Sequence, residues 1–237
     1  MMGKSHLVIS TGLTLSVLGL TGQSITLPLI AVTAISALLP DIDEPNSLLV
    51  SSALPKSFLQ YLQGLLVLLS LAVFFFGQAF TPWNMVIAAL TGLLAFLPFR
   101  SMRKVVMIVI GVSLIAFAPL FVPWCYIIGS LLIVCALLPH RGLTHTVYGL
   151  LVWSGILYFT LKSYDQNIWL AGGLSYLLHL LADSLTNHGI RPIPPFKWRL
   201  RIDLMSTGTW KGSVVEGIFI ALTIVAVWSV FIQHLEL

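Results

Sequence analysis

Between Phe58 and Leu138 the chain carries only three charged residues, Arg100, Arg103 and Lys104, and no histidine. What remains is four apolar runs, Phe58 to Phe80, Trp83 to Phe99, Val105 to Val122 and Trp124 to Leu138. They are divided by Thr81-Pro82, by Arg100-Ser101-Met102-Arg103-Lys104 and by Pro123. Runs of this length and apolarity require lipid as their solvent, and in lipid each backbone amide has to be satisfied within its own segment, so helices are the expected form. The bias extends to the whole chain, which is 58% hydrophobic and 8% charged with a mean hydropathy of +1.00; soluble domains are about a quarter charged. The sequence therefore predicts an all-α, polytopic transmembrane bundle, a single integral membrane domain over residues 1–237 with inserted helices at 58–138.

Five further segments, His6 to Leu20, Ile25 to Leu39, Thr146 to Leu161, Ile168 to Leu181 and Val214 to His234, bring the expected number of membrane segments to eight or nine. The first two, at roughly 15 residues, fall short of the ~20 needed to span a bilayer and are expected to be tilted or partly embedded. Lys4 ahead of the apolar Leu7–Leu20 run is like a signal peptide, but no small-x-small cleavage site follows, so this reads as a retained first helix. With nine crossings and the N-terminus inside, Lys4, Lys56, Arg100, Arg103, Lys104, Arg141, Arg191, Lys197, Arg199, Arg201 and Lys211 share one face and only Lys162 is left for the other. That asymmetry makes the shared face cytoplasmic. It also accounts for the net charge of +4 without nucleic acid, which is not an expected partner. Cys125 and Cys135 lack a metal or disulfide spacing and read as packing residues. Trp83, Trp124, Trp169 and Trp198, near segment ends, read as interfacial anchors.

The polar residues are few and clustered. Pro139-His140-Arg141-Gly142-Leu143-Thr144-His145-Thr146 sets two histidines and an arginine at a loop-to-helix junction, where Thr144 is placed to cap the next helix. His179 and Asp183 stand at i and i+4 and so share a helix face. Pro40-Asp41-Ile42-Asp43-Glu44-Pro45 gathers three of the eight acidic residues between two prolines. The crossing order brings His6, the Asp41–Asp43 loop, the His140–His145 loop and the end of the His179 helix to one membrane face. Each intramembrane ionisable group costs roughly 2.5–3.5 kcal/mol on insertion scales, whereas structural zinc sites release about 10–16 kcal/mol. A shared cation therefore accounts for the cluster, and nitrogen and oxygen ligands without thiolate favour zinc, manganese or iron. Arg141 beside such a site has the fork geometry for a phosphate or carboxylate, or serves as a positive-inside anchor.

These residues resemble a known family, the bacterial LexA-regulated, YdjM-like membrane-bound metal-dependent hydrolases. The likeness rests on Gly3-x-x-His6, Leu38-Leu39-Pro40-Asp41-Ile42-Asp43-x-Pro45-x-Ser47, His140-Arg141-Gly142-x-Thr144-His145, Leu174-Ser175-Tyr176-x-x-His179-x-x-x-Asp183 and Lys197-Trp198-Arg199. It implies a multi-pass protein of the bacterial inner membrane with His6, Asp41, Asp43, His140, His145, His179 and Asp183 as the metal-binding and catalytic set. A weaker likeness of the His-x-x-x-Asp helix to zinc-dependent phospholipases C and nucleases implies phosphoester chemistry. Family members often have a histidine where this chain has Glu44, and shorter members lack the four helices between Phe58 and Leu138.

Three functions fit this reading. The leading one is a divalent-metal-dependent hydrolase, with Asp43 or Asp183 as base and Arg141 on the substrate, acting on a phospholipid or lipid-linked phosphate that reaches the site laterally. Its basic tract, Arg191, Lys197, Arg199, Arg201 and Lys211, would attract anionic head groups. A metal-ion or solute transporter is the alternative, disfavoured because transport sites lie near the midplane on broken helices. The third is a scaffold with a structural metal.

Overall fold

The computed structural model describes residues 1–117 and 122–233. The end of the predicted Val105–Val122 segment, at 118–121, and His234 lie outside the described residues. Among those described are ten α-helices: α1 Gly3–Leu20, α2 Leu27–Leu38, α3 Leu48–Ala53, α4 Lys56–Phe76, α5 Trp83–Ala95, α6 Phe99–Ala116, α7 Trp124–Leu137, α8 Val147–Leu161, α9 Ile168–Ser184 and α10 Trp210–Gln233. They contain no named strand, only two isolated bridges, Thr186 with Met205 and Ile190 with Leu200.

Two helices, Lys56–Phe76 and Trp210–Ile232, are long and apolar enough to cross a membrane, and α5 with α6, bent by 119°, makes a third when taken as one broken span. Apolar runs overstate span length because they continue through the breaks that end a helix. α2 has 12 residues, about 18 Å at 1.5 Å per residue, well short of a ~30 Å hydrocarbon core. Arg100 to Lys104, expected to separate segments, lie in the first turns of α6. Arginine, methionine and lysine are good helix formers, so the chain breaks at Pro98 instead.

The chain forms two compact units, Met1–Asp43 with Leu138–Leu237, and Glu44–Leu137. In the first, α9 packs on α1, α2 and α8, and α1 packs on α10. Gly172 permits the close approach, because a Cβ there would collide with Leu157 and press on Ser36 and Val32. One apolar cluster, Leu18, Leu29, Ile168 and Ala171, fills one end of the unit. Met1, Ile9, Ala182 and Met205 fill the other. Between them helices are tied by polar contacts, Ser175 Oγ to the Thr33 carbonyl at 2.8 Å and Trp153 Nε1 to Ser36 Oγ at 2.8 Å. Such bonds suit a setting where apolar burial offers little drive for helix association.

In the second unit α4 packs on α5 and α6, and α6 on α7. Buried Arg103 donates to the carbonyls of Leu54 (3.0 Å) and Pro45 (3.1 Å) and to Asn46 Oδ1 (2.8 Å), fixing the segment around α3. Cys125 and Cys135 are buried in α7.

Candidate metal centre

Every part of the centre comes from the first unit. α2 ends in a 3-10 turn, Leu39–Asp43, whose Pro40 and short aspartate side chains favour a tight bend and present Asp41. A second 3-10 turn, Leu143–His145, precedes α8 and presents His145. This turn delays the helix start, so Thr146, not Thr144, caps α8 by accepting from the Gly149 amide at 3.2 Å. His179 and Asp183 stand one turn apart on the last half of α9.

Asp41, His145, His179 and Asp183 each place one ligand atom within 4.8 Å of the others. The Nε2 of His145 lies 3.3 Å from Asp41 Oδ1 and 3.4 Å from Asp183 Oδ2. For His179 the same separations are 3.8 and 3.9 Å. A four-coordinate ion with bonds of about 2.0–2.1 Å sets neighbouring ligand atoms roughly 3.3 Å apart, so the His145 side already fits and the His179 side closes by about half an ångström.

The proton positions follow from the donors and acceptors. His179 Nδ1 lies 2.7 Å from the Ala37 carbonyl, which only accepts, so Nδ1 carries the proton. Thr144 Oγ1 gives its single proton to Asp43 Oδ2 at 2.8 Å and must accept from His145 Nδ1 at 3.1 Å. In the neutral imidazoles both Nε2 atoms are therefore bare. Both are buried and without a hydrogen-bond partner, although carboxylates stand within ion-pairing distance. An inward lone pair, with the outer nitrogen held by a carbonyl or hydroxyl, is how histidines are set as metal ligands.

The family model described as YdjM inner membrane protein matches residues 1–235. The chain belongs to the YdjM inner membrane protein family. No curated protein and no solved structure matches it. The family match includes residues 58–138, where the sequence motifs are absent, and it makes this an inner membrane protein.

In this YdjM-family chain the remaining candidate residues stand around the four. Asp43 is buried, with Oδ1 2.9 Å from His140 Nδ1 and Oδ2 accepting from the Arg141 amide at 3.1 Å as well as from Thr144. Both its oxygens are thus occupied in holding the His140–His145 loop. Arg141 adopts φ 60°, a left-handed conformation uncommon for a side chain of this size. Its Nη1 donates to the Gly189 carbonyl at 3.3 Å and its Nη2 lies 3.5 Å from Asp183 Oδ2. His6 stacks on His179 with centroids 3.8 Å apart, and its Nε2 is 3.2 Å from Asp183 Oδ1. The Met1 nitrogen is 3.3 Å from the same oxygen. His6 and Asp43 thus pack beside the group of four, and His140 at its rim, 32% exposed, sits edge-on to His145 at 5.4 Å.

Burial alone raises the Asp41 carboxyl, yet the imidazoles of His145, His179 and His6 outweigh it and hold the group well below the usual carboxylate range. Burial likewise opposes charge on His145, but the Asp183 and Asp41 carboxylates prevail and lift its pKa to about 9. With no cation bound, that lift favours a proton on His145 facing these carboxylates, and metal uptake would have to displace it.

Glu44, His188 and Glu216 do not join the cluster. Glu44 pairs with Arg100 at 2.9 Å, His188 is exposed, and Glu216 accepts from Ser5 Oγ and from the Met2 amide at 3.1 Å. The Ala37 carbonyl was beyond the reach of sequence reading, since a backbone acceptor has no residue signature. Thr144 lay within a motif, but its role depends on a 3-10 turn that helical periodicity does not disclose.

Proposed function

We propose that the protein is a metal-dependent phosphoester hydrolase whose centre is formed by Asp41, His145, His179 and Asp183 at the cytoplasmic membrane face. The observation that carries this is the convergence of one ligand atom each from Asp41, His145, His179 and Asp183 within 4.8 Å, with the Nε2 atoms of both histidines buried and facing the two carboxylates. Such a cluster is costly unless a cation fills the gap. The nitrogen and oxygen donor set favours zinc, with manganese or iron as alternatives. When bound, the ion would lower the pKa of a water towards ~7.

The chain's own groups divide the remaining work. Asp43 orients His140 through Nδ1 and leaves the outer nitrogen of this part-exposed ring to accept or return a proton, while Arg141 stands beside Asp183 to hold a substrate oxyanion. Asp183 faces the centre and would share a proton with whatever binds there. The cytoplasmic orientation is supported within the first unit, where Lys4, Arg141, Arg191, Lys197, Arg199, Arg201 and Lys211 belong to segments at the end carrying the centre and Lys162 follows α8 at the other end. The nine-crossing order, with short helices tilted or partly embedded, is our reading of the same asymmetry. Phospholipid or lipid-linked phosphate is the substrate class that a site at this depth meets.

The test is metal content by mass spectrometry on protein in micelles, followed by turnover of phosphomonoester and phosphodiester lipids. Hydrolysis should stop on chelation and return with added metal. Tightly bound metal without turnover of any of these substrates would refute the hydrolase and leave a structural site.

A further inference from the structure

After α9 the chain doubles back in a hairpin that is fastened at the metal centre and unsatisfied at its tip. Its base is bonded to the end of α9: the Ile202 amide to the Ser184 carbonyl and the Leu204 amide to the Leu185 carbonyl, each at 2.9 Å. Ile190 and Leu200 exchange both amide bonds, at 3.1 and 3.0 Å, and the Pro192 carbonyl accepts from Val147 at 2.9 Å. Arg141 reaches the Gly189 carbonyl at 3.3 Å. The hairpin thus touches both the Asp183 end of α9 and the His140–Thr146 loop.

Beyond Pro192 a turn, closed by the Phe196 amide on the Ile193 carbonyl at 3.1 Å, turns apolar side chains outward. Phe196 is 70% exposed, Trp198 59% and Ile193 40%. Arg191, Lys197 and Arg199 are exposed beside them. The sole acidic residue between Asn187 and Ser213 is Asp203, and it pairs with Arg201 at 3.4 Å.

This tip is not a spanning element, because irregular backbone has no place in hydrocarbon. Nor does bulk water suit three large exposed apolar side chains in one turn. The head-group layer satisfies both, since it receives aromatic rings at its boundary and attracts lysine and arginine when the lipid is anionic. The level agrees: Trp210, 80% exposed, opens the candidate span Trp210–Ile232, so the chain enters the bilayer soon after the hairpin returns. We infer that the 190–200 hairpin is an interfacial anchor that docks on the anionic leaflet, with Phe196 and Trp198 inserted and Lys197 and Arg199 on lipid phosphates, at the rim of the metal centre. A polyanion such as nucleic acid would match the cations but leave Ile193, Phe196 and Trp198 in water. That the docked head groups feed the centre rests on the hydrolase reading; the docking does not.

The experiment uses the full chain in lipid nanodiscs, in a Cys125→Ala, Cys135→Ala background, with an environment-sensitive fluorophore on Pro195→Cys. Emission should be blue-shifted and quenched by bromine-labelled lipid, more strongly in discs containing phosphatidylglycerol than in phosphatidylcholine alone. Lys197→Gln with Arg199→Gln should shrink that difference several-fold, and Phe196→Ser with Trp198→Ser should return the emission to that of a water-exposed label. A water-like, unquenched label in both lipids overturns the inference. So does a blue shift without lipid quenching, which places the tip against protein, and so does equal quenching in both lipids. None of these readouts needs metal or turnover, so a protein that fails as a hydrolase still decides the docking question.

Discussion

The first unit keeps its polar side chains inside, and the second presents almost none there. Among the described residues the buried polar and charged side chains include His6, Asp43, His145, Ser175, His179, Asp183 and Glu216 in the first unit, whereas the second has only Asn84 and Arg103. In α4 a single residue, Leu59, is buried. Both units are largely apolar, but every histidine and all the acidic residues except Glu44 belong to the first. In lipid, helices gain little by hiding leucine from a solvent as apolar as leucine, and close packing with polar contacts decides the association. The first unit is thus organised around groups that are costly to bury, and the second around shape.

The strongest way to break this contrast is to remove a ligand. His179→Ala or Asp183→Asn should abolish stoichiometric metal, measured by mass spectrometry on purified protein, with a loss beyond the ~10–100-fold that changes around the ligands produce. Full occupancy in either variant would take that residue out of the centre. Arg141→Lys comes next: kcat on a phosphoester lipid should fall by about 10²–10³ with metal content unchanged, because lysine keeps the charge but loses the fork. A normal kcat that varies only with salt would make Arg141 an orientation anchor. Asp43→Asn should follow, weakening metal affinity ~10–100-fold by releasing Thr144 and hence His145. Affinity equal to the parent in a chelator competition would show that the loop holds itself.

How much of this was legible depended on whether a residue acts by its own chemistry. Asp41, His145, His179 and Asp183 were visible because ionisable side chains in an apolar chain demand a partner, and the helical i, i+4 relation of His179 and Asp183 is local. Asp43 and His140 were read as ligands with the others. The contacts that set them beside the cluster run from Asp43 to His140, Arg141 and Thr144, nearly a hundred residues on, and spacing does not encode that. Helix existence was legible in the apolar runs, but short helices and helix ends were less so: Leu48–Ala53 fell in no expected segment, and the α6 start was displaced by its cations. The short span lengths were hidden for the same reason, since hydropathy runs on through Pro98 and Gly77 where the helices do not.

A substitution in the second unit sharpens the comparison from the other side. Gly111 in α6 and Gly129 in α7 face each other, and a Cβ on Gly111 would lie 2.7 Å from the Gly129 carbonyl oxygen and 2.7 Å from Ile133 Cγ1. Gly111→Val therefore has to separate two backbones and should cost about 1–3 kcal/mol in thermal or denaturant unfolding. Metal content should not change. If metal were lost, the idea that the centre belongs to the first unit by itself would fail.

The smallest effect is expected at Glu44, and it bears on the metal because this carboxylate directly follows the Asp41–Asp43 turn that presents a ligand. Its carboxylate is committed elsewhere, with Oε2 on Arg100 Nη2 at 2.9 Å and Oε1 accepting from the Asn46 amide at 3.2 Å. The Arg100 side chain is 60% exposed, so solvent screens the pair and its worth is at most about 1 kcal/mol. Glu44→Gln keeps the oxygen that caps the Asn46 amide and removes the charge, so unfolding should shift by less than that and fade with added salt as the screening length falls. Metal identity and affinity should match the parent, because the two carboxylates and two imidazoles that face one another are supplied by Asp41, His145, His179 and Asp183. A change in metal preference on Glu44→Gln, at unchanged stability, would bring this residue into the centre and erase the boundary drawn between Asp43 and Glu44.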